Sequence, residues 1–144
     1  MEVLFICIGN INRSRSAEAI LNALQLENVH AFSRGLLLNT EGRPISPQMY
    51  ELLSDDEKKF VSEKATPLEI KDLQQADKII VMDYYVLNFL KQRFSEYYWK
   101  DKLRFYTQDE TNTEPFKPIK DPYETGDFKT TYLDLKKYMH LNIN

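Results

Sequence analysis

The strongest constraint on this chain lies at its start. Val3 to Ile6 form a short, continuous apolar run, which suits a strand buried on both faces. Cys7, Ile8, Gly9, Asn10, Ile11, Asn12, Arg13 and Ser14 follow at once. From there Ala17, Ile20, Leu21 and Leu24 recur at spacings of three and four, the mark of one helix face. A strand, a tight loop and a helix in immediate succession leave few folds open.

The alternation continues downstream. Val29 to Phe32, Lys78 to Met82 and, more weakly, Leu103 to Tyr106 read as strands. Helices are predicted from Ser46-Pro47, as an N-cap with proline in the first position, and from Thr66-Pro67-Leu68-Glu69, as a capping box. Asp83 is expected to cap a helix with Val86, Leu87, Leu90 and Phe94 on one face, and Phe128, Tyr132, Leu135 and Met139 outline the last helix. Strands alternating with helices imply right-handed crossovers and a parallel sheet covered on both faces, with ligands bound beyond the carboxyl ends of the strands. The loop after the first strand lies at that edge. A long polar, proline-bearing loop runs from Thr107 to Pro122.

With 144 residues, 42% hydrophobic and 28% charged, residues 1–144 are expected to form one domain with its own core. A formal charge of −3 gives no global basic field for nucleic acid or an anionic membrane, so any anion site must be local. One cysteine excludes an internal disulfide. The start lacks a basic n-region, and no apolar stretch approaches the roughly 18 residues of a membrane span. A cytoplasmic monomer is expected, with no membrane partner.

A loop closed between a strand and a helix aims backbone N–H groups inward, and the helix N-terminus adds its positive end. Together they grip a tetrahedral dianion without any lysine. Gly9 and Asn10 tolerate the left-handed backbone such a loop needs. The same field favours a thiolate at Cys7, a nucleophile at neutral pH. Arg13 has the planar fork to hold two phosphoryl oxygens, and Ser14 can donate a hydrogen bond to the departing thiolate. Out of this setting, Cys-x5-Arg fits equally a small core cysteine and an unrelated arginine. Placement between strand and helix, with Gly-Asn inside and serine after, favours chemistry. His30 and His140 lack partners at metal spacing, so neither a metal site nor a cofactor is expected.

The stretch VLFICIGNINRSRSAE resembles the signature Val-x-Phe-Val-Cys-x-Gly-Asn-x-Cys-Arg-Ser-Pro-x-Ala-Glu of the low-molecular-weight protein tyrosine phosphatases. Phe32-Ser33-Arg34-Gly35, Gly42-Arg43-Pro44, Ala76-Asp77 through Met82-Asp83, and Asp121-Pro122-Tyr123 resemble further segments of that family, so nearly the whole chain is covered. The resemblance implies a three-layer α/β/α, flavodoxin-like fold with a four-stranded parallel sheet in the order 2-1-3-4. It also implies hydrolysis of phosphotyrosine through a phosphocysteine, with Cys7 as nucleophile, Arg13 as phosphate ligand and Asp121 as general acid. Ile8, Gly9, Asn10, Ile11, Asn12, Ser14 and Ser33 would form or support the loop. Ile11, where related arginine-phosphate phosphatases tend to carry threonine, would join Asn39 and Tyr123 in the specificity wall. Pro122 would stiffen a loop able to swing over the strand ends. A phosphotyrosine-containing protein is the implied partner, and inorganic phosphate or similar oxyanions the implied inhibitors.

Three other readings stand beside this one: a catalytically weak phosphate-binding or phosphotyrosine-binding module, a phosphatase for another phospho-amino acid such as phosphoarginine, and an arsenate reductase of the same fold. The last needs further cysteines for its electron relay, which one cysteine excludes. The chain departs from the family pattern at Asn12, a frequent second cysteine; at Arg15, usually proline; at Glu63, often histidine; and at Thr66, often arginine. Arg15 is expected to add a cation at the mouth, Glu63 to be solvated, and Thr66 to be an N-cap. Without a neighbouring thiol, Cys7 has no disulfide refuge from over-oxidation. Heavy peroxide treatment should therefore leave activity that dithiothreitol restores poorly, with phosphate protecting; full recovery would contradict this.

Overall fold

The computed structural model describes residues 1–109, 111 and 113–143. Asn144, at the end of the expected domain, and Glu110 and Asn112, within the predicted loop, lie outside the described residues. β1 (Glu2–Cys7) pairs in parallel with β2 (His30–Gly35) on one side and β3 (Lys78–Val81) on the other, and β4 (Leu103–Phe105) lies parallel beyond β3. The sheet order β2-β1-β3-β4 is the expected 2-1-3-4. Val3 to Cys7 are all buried, as a central strand covered on both faces requires.

The chain moves one way from β1 to β2 and the opposite way from β2 through β3 to β4. Right-handed crossovers therefore put α1 (Arg13–Ala23) on one face, and α4 (Ile70–Gln75) with α5 (Tyr84–Arg93) on the other. On the α1 face, α7 (Phe128–Tyr138) packs against α1, and α2 (Pro47–Leu52) and α3 (Asp55–Lys58) join them. The order reverses at β1. That places the β1–α1 loop at the topological switch point, where open α/β sheets bind ligands.

Three local expectations are corrected. β2 runs on past Phe32 through polar Ser33 and Arg34 to Gly35, because these residues continue the ladder with Phe5, Ile6 and Cys7. Thr66 starts no helix: its hydroxyl donates to the Lys64 carbonyl, Gly35 and Pro67 form an isolated parallel bridge, and α4 is capped by Glu69 with Asp72. Pro47 does open α2, but Ser46 makes no side-chain cap. The short α3 was missed, although Ser54-Asp55-Asp56-Glu57 is a capping box with both hydrogen bonds present.

Glu57 also ties α3 to α7, accepting from Ser54 N (2.9 Å), Tyr132 OH (2.6 Å) and Lys136 Nζ (2.5 Å) while nearly fully buried. Burial is the largest influence and opposes its charge. The hydrogen bonds and Lys136 outweigh it and hold the carboxyl below its ordinary 4.5. A folded pKa below the unfolded one stabilises fully above 4.5 and is lost as pH falls through the folded value. Glu57→Gln should cost about 1–2 kcal/mol near neutral pH in urea denaturation, and the gap from wild type should close in acid. A gap that widens in acid would reverse this sign.

Candidate active site

Cys7 ends β1 and is buried, with its Sγ 3.0 Å from Ser14 Oγ in the first turn of α1. Between them the chain turns at Asn10, whose φ of 54° is the left-handed conformation expected of the loop; Gly9 does not share it. The Asn10 side chain is fully used. Its Nδ2 donates to Ser14 Oγ (2.7 Å) and Ser33 Oγ (3.0 Å), and its Oδ1 accepts from Thr66 N (2.8 Å). Ser33 in turn donates to Glu18 Oε1 (2.6 Å). Since Ser14 Oγ accepts from Asn10, its own proton is left for Cys7 Sγ. By contrast, among the described residues the backbone N–H groups of residues 9–12 donate to no protein group. Unspent donors beside a helix N-terminus form an anion cradle.

Arg13 is buried under the loop. Its Nη1 donates to Asp83 Oδ2 (2.7 Å) and to the Ile119 carbonyl (2.7 Å), while Nη2 lies 3.8 Å from Asp121 Oδ2. Among the described residues Nε and Nη2 make no hydrogen bond, an edge that could meet an oxyanion. Burial, the largest influence, disfavours the guanidinium charge, but Cys7, Asp83 and Asp121 outweigh it and hold Arg13 above its ordinary value. Asp83 does two jobs: Oδ1 caps α5 at Val86 N (2.8 Å) and Oδ2 aligns Arg13. Its second role was missed because the cap reading already accounted for the residue.

The Asp121 loop is anchored by three hydrogen bonds. Ile119 N donates to the Met82 carbonyl (2.9 Å), the Ile119 carbonyl accepts from Arg13, and Thr131 Oγ1 donates to the Lys120 carbonyl (2.8 Å). Asp121 Oδ1 then caps α6 (Pro122–Thr125) at Tyr123 N (3.0 Å). Cys7, Arg13 and Asp121 line one cavity of about 270 Å³, with Ile8, Gly9, Ile11 and Asn12 from the loop. Leu37, Asn39, Thr40 and Arg43 form the facing wall, and Tyr123, 87% exposed, stands at the lip. Ser14, Asn10 and Ser33 do not line the cavity and are joined to one another by the Asn10 hydrogen bonds.

Two departures from the family pattern have unexpected positions. Arg15 is not a cation at the mouth. It is buried behind the loop, donating to the Arg43 carbonyl (2.9 Å), Ser62 Oγ (3.3 Å) and the Ser62 carbonyl. Burial pushes it below its ordinary value, opposed by the charges of Glu18 and Cys7. Asn12 supplies more than a missing thiol, since its Oδ1 accepts from Ser46 N (3.1 Å) and fixes the approach to α2. Glu63 is exposed, as expected. Sequence reasoning also missed Thr40, which donates to the Gly9 carbonyl (2.8 Å), and Glu18, a buried carboxyl. Burial raises the Glu18 pKa against the opposing Ser33 hydrogen bond and the nearby Arg34, Arg15 and His30.

Residues 2–141 match the model of the low molecular weight phosphotyrosine protein phosphatase family. The low molecular weight protein-tyrosine-phosphatase YfkJ of Bacillus subtilis is 30% identical over 136 residues, covering 90% of this chain and 85% of its own. The crystal structure of YfkJ superposes with a TM-score of 0.85 at 27% identity, over 98% of this chain and 91% of that one. The YwlE arginine phosphatase from Geobacillus stearothermophilus superposes with a TM-score of 0.75 at 26% identity, over 97% and 86%.

A Cβ at Gly35 would lie 2.7 Å from Asn10 N and Gly9 C and 2.9 Å from Asn10 Cβ, so the end of β2 can approach the loop only as glycine. Gly35→Ala should destabilise by about 1–3 kcal/mol and weaken inorganic phosphate binding, read as a smaller phosphate-dependent rise in melting temperature. Wild-type stability and phosphate response in G35A would show that the loop does not depend on this contact.

Proposed function

The chain belongs to the low molecular weight phosphotyrosine protein phosphatase family, and from that premise we propose that it hydrolyses phosphotyrosine in protein substrates through a phosphocysteine, as a single domain in a reducing cytoplasm. The observation that supports this best is the convergence of Cys7, Arg13 and Asp121 on one cavity whose loop N–H groups are unspent.

Phosphate enters with its equatorial oxygens on the loop amides and on the Nε and Nη2 edge of Arg13. The Cys7 thiolate attacks phosphorus in line, forming the S–P bond as the P–O bond to the phenol breaks. Asp121, entering this step as the carboxylic acid, gives its proton to the leaving oxygen. Asp121 as carboxylate then takes a proton from the attacking water, the S–P bond breaks, and inorganic phosphate is released. Ser14 Oγ, 3.0 Å from Sγ, stabilises the thiolate that departs.

The apolar lining of Ile8, Ile11 and Leu37, with Tyr123 at the lip, suits a phenyl ring better than a guanidinium. Phosphoarginine stays as the second reading, because an arginine phosphatase is among the structural neighbours. Retention of both Cys7 and Asp121 favours turnover over a binding-only role.

Hydrolysis of p-nitrophenyl phosphate should vanish in Cys7→Ser and fall by about 10²–10⁴ in Asp121→Ala. Phosphotyrosyl peptide should exceed phosphoarginyl peptide in kcat/KM. Turnover by C7S at the wild-type rate would refute the nucleophile, and a preference for phosphoarginine would overturn the substrate while leaving the mechanism.

A further inference from the structure

We propose that Arg15 is a positioning residue that holds the substrate wall of the cavity in register with the phosphate loop. The proposal rests on the phosphatase reading above.

The wall runs from Leu36 to Arg43 and belongs to no helix or strand. Its near end is secured at the end of β1, since Leu36 N donates to the Cys7 carbonyl (3.2 Å) and to the Ile8 carbonyl just beyond it (2.7 Å), Leu37 N donates to the same Ile8 carbonyl (2.9 Å), and Arg93 donates to the Leu36 carbonyl. Its middle is secured by Thr40 on Gly9. Its far end rests on another irregular segment: Gly42 N donates to the Ala65 carbonyl and Ala65 N to the Arg43 carbonyl, both at 2.9 Å. Two loops bonded to each other do not fix a position; something must tie them to a rigid element.

Arg15 does so. It sits in the first turn of α1, two residues beyond Arg13, and its fork reaches both segments at once: Nη1 to the Arg43 carbonyl, Nε and Nη2 to Ser62. Asn12 on Ser46 and Asn10 on Thr66 add ties to either side. All the acceptors Arg15 bonds are neutral. An apolar residue would fill this space without desolvating a cation, so the return is geometric. A rigid planar fork aimed at acceptors on two segments is what lysine cannot reproduce. α1 thus aligns both halves of the site: its N-terminus forms the loop that takes the phosphate, and Arg15 sets the distance of the wall that takes the ring.

The wall meets the leaving group's ring, whereas free phosphate touches only the loop, so the two can be read separately. Arg15→Met and Arg15→Lys would be compared with wild type for kcat and KM on a phosphotyrosyl peptide, inhibition constant for inorganic phosphate, and melting temperature. R15M should raise KM about tenfold, with kcat and the phosphate constant within about twofold. R15K, with one donor group in place of the fork, should recover only part of the KM. A folded R15M with unchanged KM overturns the proposal. So does a parallel rise in KM and in the phosphate constant, which would make Arg15 a loop support. If R15M does not fold, wild-type KM in R15K overturns it. Absence of turnover in the wild type would instead overturn the phosphatase reading.

Discussion

The side chain of Asn10 is the interaction on which the site depends. A left-handed residue other than glycine carries a steric cost, least for asparagine, whose amide can be reused locally. Here one amide joins three segments, because it donates to Ser14 on α1 and Ser33 on β2 and accepts from Thr66 ahead of α4. It also constrains the two hydroxyls it bonds. With both N–H bonds committed, Ser33 must donate to Glu18 and Ser14 is free to donate to Cys7. The thiol thus faces a donor whose orientation is set before any substrate arrives, which is electrostatic preorganisation in its simplest form.

The two arginines of the first turn of α1 show how neighbours decide what burial does. Both are almost inaccessible to water. Arg13 lies against two carboxylates, and its charge is held more firmly than in water; Arg15 bonds carbonyls and a hydroxyl, and its charge is weakened by burial. The first arrangement suits a group that must meet an anion while staying ionised. The second suits a group whose value lies in the direction of its N–H bonds. Glu18 sits between the two patterns, its charge disfavoured by burial and supported by Ser33 and three basic neighbours.

What the sequence made legible was local. The strand, loop and helix at the start are encoded within a short stretch by hydrophobic period and by Gly-Asn chemistry, so Cys7, Asn10, Arg13 and Ser14 could be placed from their neighbours alone. The sheet order came through family resemblance, since nothing in the strands names their partners. What stayed hidden depended on distant groups. Thr66 satisfies a capping pattern, but Asn10 claims its N–H and the segment bridges to β2. Arg15 reads as surface because charged residues seldom lie inside unpaired, and its acceptors at 43 and 62 lie far along the chain. Asp83 reads completely as a helix cap, so nothing signals that its other oxygen meets Arg13.

That last contact couples the two halves of the proposed chemistry. Arg13 Nη1 bridges Asp83 and the Ile119 carbonyl, and Ile119 is held from its other side by Met82. Two residues later the chain presents Asp121. The guanidinium proposed to meet the phosphate therefore also seats the loop that bears the proposed acid, while among the described residues its Nε and Nη2 make no hydrogen bond. In the proposed chemistry one planar group performs three tasks: it is aligned by a carboxylate, holds a backbone carbonyl, and would offer two parallel donors to an oxyanion. An ammonium at this position would have to choose among them. The anchoring of that loop leaves Asp121 Oδ2 3.8 Å from Arg13 Nη2.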